Sequence, residues 1–586
     1  MASSSPTASS FWLRPLGTNL ILVLLAALPL PPATPRPPQM DRGEPRFAQA
    51  THEMMERETL LIPYFNDEYR FDKPPLSYWW MRVHYHLLGG KSELAARLHT
   101  VEAALLTAIL IAALGRFLFS PKAGLLAGVA WLSSFQVLIH GRLCVADMPM
   151  ILAVTATGYA LARLLLDDSA TVEKRFNKWW WLLAGSLIFG FLAKGPIAVI
   201  TPALGLILTR FLFGRGHKLP WARIQPISLS ILFFVGIGLW GIPALLETNN
   251  EFAKEGLGKH VVERGTESFN GRKTIPGVYY LATALISLLP WSVLIPSAFR
   301  KDAGEEKWNR RNASNAFLLG WLIAPYLIFA FYSTQLPHYV MPGFPAFFLL
   351  LTRAGSIPVP RTKGAKIFAG FVVGLIALLG ASVAGFSQWT PLVEGPAGLS
   401  QLLLFAGMLL LAAALASLFA AFGKTLPAVL GVVLCSGLAW QLSAQIRAIH
   451  PTVLVMDALE SRAPNTEFIA SNGFSEPSLV FYTDKGWTMN KKSRDALKWL
   501  AKSNSKKKPR AGVLMLREWT ANNMIEQLND GTSPTDLMPS SNDREFILQR
   551  VRSQLPVHEM DFYIVTGYNA AKTSWVELLV CVPVER

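Results

Sequence analysis

The sequence is poor in cysteine and lacks several motifs of soluble enzymes. Its three cysteines among 586 residues are too few for a disulfide framework. No Gly-rich nucleotide-binding loop is evident, and no His/Cys cluster has the spacing of metal ligands. We also find no internal repeat, which argues against a transporter built from inverted halves. No cofactor or metal site is therefore expected, although a divalent metal stays open.

Charged residues are also scarce, at 16% of the chain, whereas 51% of the residues are hydrophobic. Between the charged residues lie long apolar runs such as 365–386 and 399–422. These runs have the roughly 20-residue length of a helix that crosses a hydrocarbon core of about 30 Å. A soluble core helix seldom extends so far or recurs so often. We predict a polytopic α-helical membrane protein with about thirteen spans, at 17–34, 98–118, 123–141, 145–165, 179–193, 196–213, 226–246, 276–298, 315–333, 337–352, 365–386, 399–421 and 426–446.

The net charge of +16 would suggest a nucleic-acid partner if the protein were soluble. Here most basic residues lie in short loops between the spans, and in one set of alternate loops every loop contains Lys or Arg. This bias predicts that the set is cytoplasmic and that the N-terminus lies on the same side. Since membrane topology accounts for the basic residues, we expect no nucleic-acid partner. The long loops 35–96 and 247–275 then lie outside, where their basic residues suggest an anionic ligand.

The composition changes after residue 446. We therefore predict a transmembrane domain, 1–446, and a C-terminal extracytoplasmic α/β domain, 447–586. Alternating polarity predicts strands at 561–566 and 574–584, and the segments 495–501 and 520–528 are typical of helices. The segment 476–482 either contacts the acceptor or forms a buried strand. In the outer loop 35–96, residues 45–57 are expected to form an interfacial helix.

Ionisable residues at the membrane are costly, so they are candidates for function. Carboxylates on the predicted outer face can accept a proton or position a nucleophile; they are Glu44, Asp147, Asp41 and Asp72. Cations and donors on the same face can neutralise a phosphate leaving group; they are Arg46, Lys73, Lys194, Arg264, His338 and Tyr339. Plainer roles are a helix cap or an ion pair with Arg142 for Asp147, snorkelling for Lys194, and interface anchoring for His338 and Tyr339.

Together, these acids and phosphate-binding groups on a face remote from cytosolic nucleotide sugars suggest transfer from a lipid-linked phosphosugar. At these residues the chain resembles the polyprenyl-phosphate-dependent glycosyltransferases of the GT-C superfamily. It is most similar to the group that unites the protein O-mannosyltransferases of family 39 with the lipid A aminoarabinose transferases. The resemblance covers about residues 12–450 and rests on ordered motifs: Glu44-Pro-Arg46-Phe-Ala, Phe71-Asp-Lys-Pro-Pro, Ala146-Asp-Met-Pro, Ala193-Lys-Gly-Pro, His260-Val-Val-Glu-Arg264, Pro290-Trp and Leu336-Pro-His-Tyr.

The resemblance implies a GT-C fold, a first helix that is retained rather than cleaved as a signal peptide, and an inverting transfer without a nucleotide. The donor would be an undecaprenyl- or dolichyl-phosphate sugar, and the acceptor a lipid such as lipid A, a glycan or a protein. Such enzymes carry an Asp-Glu pair in the first outer loop, where this chain has Gly43 and Glu44. Either Glu44 takes the acidic role, Asp41 reaches in, or the site is impaired.

The remaining positions follow the family pattern more closely. Asp147 matches the second acidic position, and Arg46, Lys73, Lys194, Arg264 and Tyr339 match basic or phosphate-binding positions. We assign Asp72 and His260 to acceptor binding. The expected location is the bacterial inner membrane. The alternatives are a lipid or lipid-linked sugar flippase and a degenerate, non-catalytic family member, for which Gly43 is the best support.

Overall fold

The structure is a computed structural model. Apart from a few isolated positions, it describes residues 12–27, 38–40, 43–213, 219–256, 278–300, 310–389, 399–445, 449–462, 468–483, 486–490, 510–520, 560–569 and 574–583.

The first part of the described chain is helical. It contains helices α1 Pro15–Ala27, α2 Glu44–Glu56, α3 Leu76–Leu87, α4 Glu93–Leu118, α5 Pro121–Leu132, α6 Phe135–His140, α7 Asp147–Leu166, α8 Ala170–Glu173, α9 Lys178–Lys194, α10 Ile197–Leu212, α11 Trp221–Ile224, α12 Pro226–Glu247, α13 Val278–Ser287, α14 Ile295–Ala298, α15 Arg310–Ala330, α16 Phe344–Thr352, α17 Lys363–Trp389, α18 Leu399–Ala421 and α19 Thr425–Gln445. A two-stranded hairpin, β1 Tyr64–Phe65 and β2 Glu68–Tyr69, lies between α2 and α3, and 3₁₀ turns occupy Trp291–Leu294 and Pro337–Gly343.

Six of the described helices are long and apolar enough to cross a membrane, or seven if one bent pair counts as a single span. Shorter apolar helices at Pro15–Ala27, Ile197–Leu212 and Thr425–Gln441 accompany them. The chain is therefore an integral membrane protein with a polytopic helical fold, as the apolar runs predicted. The total of thirteen spans and the side on which each loop lies stay predictions.

Three predicted spans are not straight α-helices. The span 276–298 bends by 116° between α13 and Trp291–Ala298, and 123–141 is divided into α5 and α6 at Ser133 and Ser134. The span 337–352 begins as a 3₁₀ turn and has only nine residues of α-helix. Pro290, Pro337 and Pro342 lie in or next to two of these irregular stretches. Proline lacks the N–H that an α-helix needs, which favours a break at these positions. Hydropathy measures only how apolar the residues are, so it could not reveal the breaks.

Small residues allow the membrane helices to approach closely. A Cβ atom added to Gly124 of α5 would lie 2.1 Å from the carbonyl oxygen of Ala112 in α4. One added to Gly320 of α15 would lie 2.7 Å from the carbonyl oxygen of Gly205 in α10. In a membrane, where helix association depends on van der Waals packing, such contacts between backbones hold the bundle together.

The C-terminal part of the described chain forms a mixed sheet with helices. It contains α20 Pro451–Arg462, β3 Phe468–Asn472, α21 Ser478–Thr483, β4 Trp487–Asn490, β5 Arg510–Thr520, β6 Met560–Asn569 and β7 Ser574–Pro583. The strand order is β4-β3-β5-β7-β6, with β4, β3 and β5 parallel and β5, β7 and β6 antiparallel. The predicted C-terminal α/β fold and both predicted strands are thereby confirmed, whereas the helices predicted at 495–501 and 520–528 fall mainly outside the described residues.

The strand prediction for 476–482 was wrong, because this segment contributes to helix α21. Pro477, immediately before the helix, has the fixed φ that suits a helix start, and the Phe481 N–H donates to the Pro477 carbonyl. A short apolar run between turns fits a buried strand and a buried helix equally well by periodicity.

The sheet domain is anchored to the first outer loop by hydrogen bonds. The Asn66 side chain donates to the Trp487 carbonyl and accepts from the Trp487 N–H, both at 2.8 Å. The Tyr482 hydroxyl donates to Glu93 at 3.0 Å and accepts from the Gln39 N–H at 2.8 Å. A helix is present at the predicted place as α2, but it is not an interfacial helix with lipid-facing side chains, because Phe47 and Met54 are buried in a cluster with Phe481.

We expect Gly124→Ala to destabilise the helix bundle, because its Cβ would require α4 and α5 to move apart. Overpacking of this kind typically costs about 1–3 kcal/mol. Gly185→Ala is the matched control, since a Cβ at Gly185 meets nothing within 4 Å. Thermal unfolding of the purified full-length variants in detergent should show a lower Tm only for Gly124→Ala, and equal Tm values would contradict the close packing.

Candidate functional site

A cavity of about 540 Å³ lies between the first outer loop, the end of α9 and the face of α12. Its wall is mainly apolar and includes Phe234, Ile237, Ile242 and Phe252. Phe234 is 67% exposed and Ile242 is 61% exposed, and in a membrane protein such exposed apolar side chains face lipid. The cavity can therefore receive a hydrophobic chain from the side.

One end of the same cavity is polar. It is formed by four residues that the sequence singled out: Asp72, Lys73, Lys194 and Tyr339. Lys73 Nζ donates to the Asp72 carbonyl oxygen at 2.8 Å, and the Asp72 carboxylate lies 3.2 Å from Arg70. Lys194 Nζ lies 5.5 Å from the centre of the Tyr339 ring. Cations therefore line the end of a largely apolar cavity.

Asp147 forms an ion pair with Lys194. Its Oδ1 accepts a hydrogen bond from Lys194 Nζ at 2.5 Å and lies 3.7 Å from His338 Nε2. The turn Lys194-Gly195-Pro196 makes this approach possible, because Gly195 has φ +79°, which a residue with a Cβ rarely adopts. Asp147 is the first residue of α7, where a carboxylate is favoured by the partial positive charge of the helix N-terminus.

A row of polar groups continues from His338 into the bundle. The rings of His338 and His140 are 4.6 Å apart. Gln136 Nε2 lies 2.8 Å from His140 Nδ1, and Ser287 Oγ donates to Gln136 Oε1 at 3.0 Å. His338 thus lies between Asp147 and the His140 ring, and His140 in turn contacts Gln136.

Glu44 has a different environment, because both of its oxygens are engaged within the chain. Oε1 accepts hydrogen bonds from Arg97 Nε and the Cys144 N–H, both at 2.8 Å. Oε2 accepts from Arg97 Nη2 at 2.8 Å and from the Met40 N–H at 2.9 Å. Glu44 is only 2% exposed. The carboxylate therefore joins the start of α2, helix α4 and the turn before α7.

Arg142, which the sequence offered as a partner for Asp147, lies elsewhere. Its guanidinium donates to the carbonyl and hydroxyl oxygens of Ser436 at 3.1 and 3.3 Å, and burial lowers the pKa of Arg142 to about 10. It keeps its charge at neutral pH. In the same turn, burial and then the nearby Glu44 carboxylate raise the pKa of the Cys144 thiol well above its usual value, so the thiol stays neutral.

The remaining predicted residues are less closely tied to the cavity. Arg46 lies half-buried on the first turn of α2, and neither Arg46 nor Glu44 is among the described residues that line the cavity. Asp41, His260 and Arg264 lie outside the described residues. Within the described chain, no group of three or more His, Cys, Asp or Glu side chains is arranged to hold a metal ion.

Three polar residues of this region escaped the sequence reasoning. Arg97 pairs with Glu44, and the ring of His140 lies 4.6 Å from that of His338. Arg70 lies beside Asp72 and donates to the Tyr78 hydroxyl at 2.9 Å. Arg97 is only 5% exposed although it lies within apolar helix α4. A charge within an apolar helix is a signal of function, but the predicted span began one residue after Arg97.

Part of the chain matches a known family. The model of the dolichyl-phosphate-mannose-protein mannosyltransferases matches residues 72–240, which include Lys73, Asp147 and Lys194. Relatives similar in sequence are named undecaprenyl phosphate-alpha-4-amino-4-deoxy-L-arabinose arabinosyl transferases. The protein from Edwardsiella ictaluri is 29% identical over 61% of this chain and 62% of its own length. The one from Pectobacterium atrosepticum is 27% identical over 63% and 65%, so less than two thirds of either relative is matched.

The fold has a much fuller match. ArnT from Cupriavidus metallidurans bound to undecaprenyl phosphate superposes with a TM-score of 0.67, at 18% identity, over 98% of both chains. Its apo structure superposes equally well, at 17% identity. The helical membrane part and the C-terminal sheet domain therefore occur together in a known architecture. The chain therefore has the fold of these ArnT structures, which is the GT-C fold that the sequence motifs predicted.

Proposed function

We propose that this protein is a membrane glycosyltransferase that moves a sugar from a polyprenyl phosphate to an acceptor on the extracytoplasmic face. The observation that carries the proposal is the cavity with an apolar, lipid-facing wall and a cationic end at Lys73 and Lys194. A ligand that fits such a cavity has a long apolar chain and an anionic head. A polyprenyl phosphate has both, and a related structure holds undecaprenyl phosphate.

The names of the sequence relatives guide the choice of substrate. Undecaprenyl phosphate-linked aminoarabinose is the donor that these names favour, and lipid A, a glycan or a protein is the acceptor class. The chain would lie in the bacterial inner membrane with a cytoplasmic N-terminus and the sheet domain outside, because the loops rich in Lys and Arg then face the cytoplasm. No cofactor is required by this proposal.

In the reaction, a lone pair of the acceptor oxygen forms a bond to the anomeric carbon of the sugar. The bond between that carbon and the phosphate oxygen breaks, and its electron pair leaves with the phosphate. Lys73, Lys194 and Tyr339 line the cavity where the phosphate would lie, so they stabilise the negative charge that develops there. Attack from the side opposite the phosphate inverts the anomeric centre, as in one-step inverting hydrolases.

Asp147 is better suited than Glu44 to contact the acceptor. Both ion-pair contacts of Asp147 use Oδ1, and among the described residues Oδ2 accepts no hydrogen bond. Oδ2 can therefore orient the acceptor hydroxyl and take its proton. Glu44 already accepts four hydrogen bonds, which is the full capacity of a carboxylate. We assign Glu44 a positioning role and Asp147 the catalytic one.

Gly43 does not require an inactive protein. Its φ of −90° is open to any residue, and an added Cβ would meet only Val145 Cγ1, at 3.8 Å. No structural need for glycine thus exists at this position, and the contacts that join Asp147, Lys194 and Tyr339 do not involve residue 43. These observations favour an active transferase over a degenerate family member.

We expect Asp147→Asn to reduce sugar transfer at least about 100-fold, the loss typical when one preorganised electrostatic group is removed. The neutral amide neither holds Lys194 by charge nor accepts the proton. Asp67→Asn is the matched control, because Asp67 is an exposed residue of the outer loop 35–96 that pairs with Arg57, and it should keep full activity. The assay measures the transfer of radiolabelled sugar from a polyprenyl phosphate in membranes.

The same assay separates the alternatives. A flippase or a non-catalytic member would leave every acceptor unlabelled with the wild-type protein. Full transfer by Asp147→Asn would remove Asp147 from the catalytic role while leaving the transferase activity intact.

We expect Gly241→Phe to weaken binding of a long-chain donor. Gly241 lines the cavity, and an added Cβ meets no atom within 4 Å, so a benzyl group would enter the space for the lipid chain. The KM should rise for an undecaprenyl donor and change little for a donor with one or two isoprene units. Gly185→Phe on the lipid-exposed face of α9 is the control. An equal KM for both donors would place the lipid elsewhere.

We expect Glu44→Gln to act mainly through stability. It breaks a buried ion pair with Arg97, a change that costs about 3–5 kcal/mol, so Tm should fall clearly. At low temperature, where the variant is folded, it should be more active than Asp147→Asn. An unchanged Tm with activity as low as that of Asp147→Asn would instead show that Glu44 acts directly on the substrate.

A further inference from the structure

A second cavity, of about 410 Å³, lies at the far end of α16 from the site described above. His338 lies at the start of the 3₁₀ turn before α16, whereas Arg353 follows the last residue of α16. The seven residues of the 3₁₀ turn and the nine of α16 together rise roughly 25–30 Å. This is the thickness of a hydrocarbon core, so the second cavity lies at the opposite membrane surface.

The second cavity is lined by three arginines: Arg300, Arg353 and Arg361. Arg353 holds its walls together, since its guanidinium donates to the carbonyl oxygens of Ala298 and Leu350 at 2.5 and 3.3 Å and also to that of Arg300. Arg300 and Arg361 are exposed, and within the described residues neither side chain forms an ion pair. No described lining residue is acidic.

Two further cations lie next to this cavity, at the N-terminus of helix α17, where positive charge is unfavourable. Helix α17 begins at this cavity, with the Thr362 hydroxyl accepting from the Ala365 N–H at 3.2 Å. Its first turn has no acidic residue but contains Lys363 and Lys366, both exposed. The partial positive charge of a helix N-terminus repels such cations. The cost of this arrangement is offset if an anion binds between the helix end and the arginines.

The surroundings of the cavity favour an anion that belongs to the membrane. Part of its wall is apolar and includes Leu350, Ile357 and Val359, and Val359 is 37% exposed. Basic cavities between membrane helices are typical sites for anionic phospholipid headgroups. We propose that the cavity lined by Arg300, Arg353 and Arg361 binds the phosphate headgroup of an anionic phospholipid from the leaflet opposite the transfer site. This proposal does not depend on the transfer reaction.

The test uses the full-length protein in neutral detergent, titrated with phosphatidylglycerol while thermal unfolding is followed. A ligand that binds only the folded protein raises Tm, so phosphatidylglycerol should raise it and phosphatidylcholine should not. In the double variant Arg300→Gln/Arg361→Gln the apparent Kd for phosphatidylglycerol should rise at least about tenfold, which corresponds to 1.4 kcal/mol. The control Lys174→Gln/Arg175→Gln removes two charges from another basic loop and should change Kd less than twofold.

Two further measurements test whether something other than a phospholipid occupies the arginine cavity. If inorganic phosphate stabilises the wild-type protein as strongly as the lipid does, the ligand is a free anion and the proposal is overturned. The sequence from 301 to 309 carries three acidic residues. If phosphatidylglycerol binds only after Glu305→Gln/Glu306→Gln, the chain itself occupies the cavity and the proposal is again overturned.

A measurement on the wild-type protein alone covers the case in which the double variant does not fold. Native mass spectrometry from mixed micelles should show phosphatidylglycerol retained in preference to phosphatidylcholine. Equal retention of the two lipids would contradict the proposal.

Discussion

The buried ion pair between Glu44 and Arg97 is the contact on which the arrangement of the loop 35–96 depends. It joins three separate pieces of chain, since the Glu44 carboxylate also accepts from the Met40 and Cys144 N–H groups. A buried charge is tolerated only when its hydrogen bonds are complete. Glu44 meets this condition, and as a result the first outer loop, helix α4 and the turn that leads to Asp147 are held in one arrangement.

The same loop also connects the two domains. Its Asn66 pairs with the backbone of Trp487, and Gln39 and Glu93 meet the Tyr482 hydroxyl. The sheet domain therefore supports the loop that carries Asp72 and Lys73 to the cavity. The position of the cationic end thus depends on contacts made far from it in sequence, which is a common way to hold a site rigid.

The cavity beside Lys73 and Lys194 and the arginine cavity have two features in common. In both, cations line a cavity whose wall is partly apolar. In both, hydrogen bonds fix the position of a cation: Lys194 donates to Asp147, and Arg353 donates to backbone carbonyl oxygens. The two differ in their acids. Beside Lys194 lies a carboxylate whose Oδ2 accepts no hydrogen bond among the described residues, as the proposed chemistry requires, whereas no described acid lines the arginine cavity, for which we propose binding alone.

The sequence by itself determined the membrane class, most helices, the two C-terminal strands and four residues that line the cavity: Asp72, Lys73, Lys194 and Tyr339. Hydropathy, alternation and motif order carry this information because they depend on neighbours along the chain. Only the tertiary structure decided that Glu44 accepts four hydrogen bonds, whereas Asp147 Oδ2 accepts none from the described part of the chain. It also decided that the spans near Pro290 and Pro337 are irregular. Hydrogen-bond capacity is shared between residues far apart in sequence, so no local pattern could have assigned it.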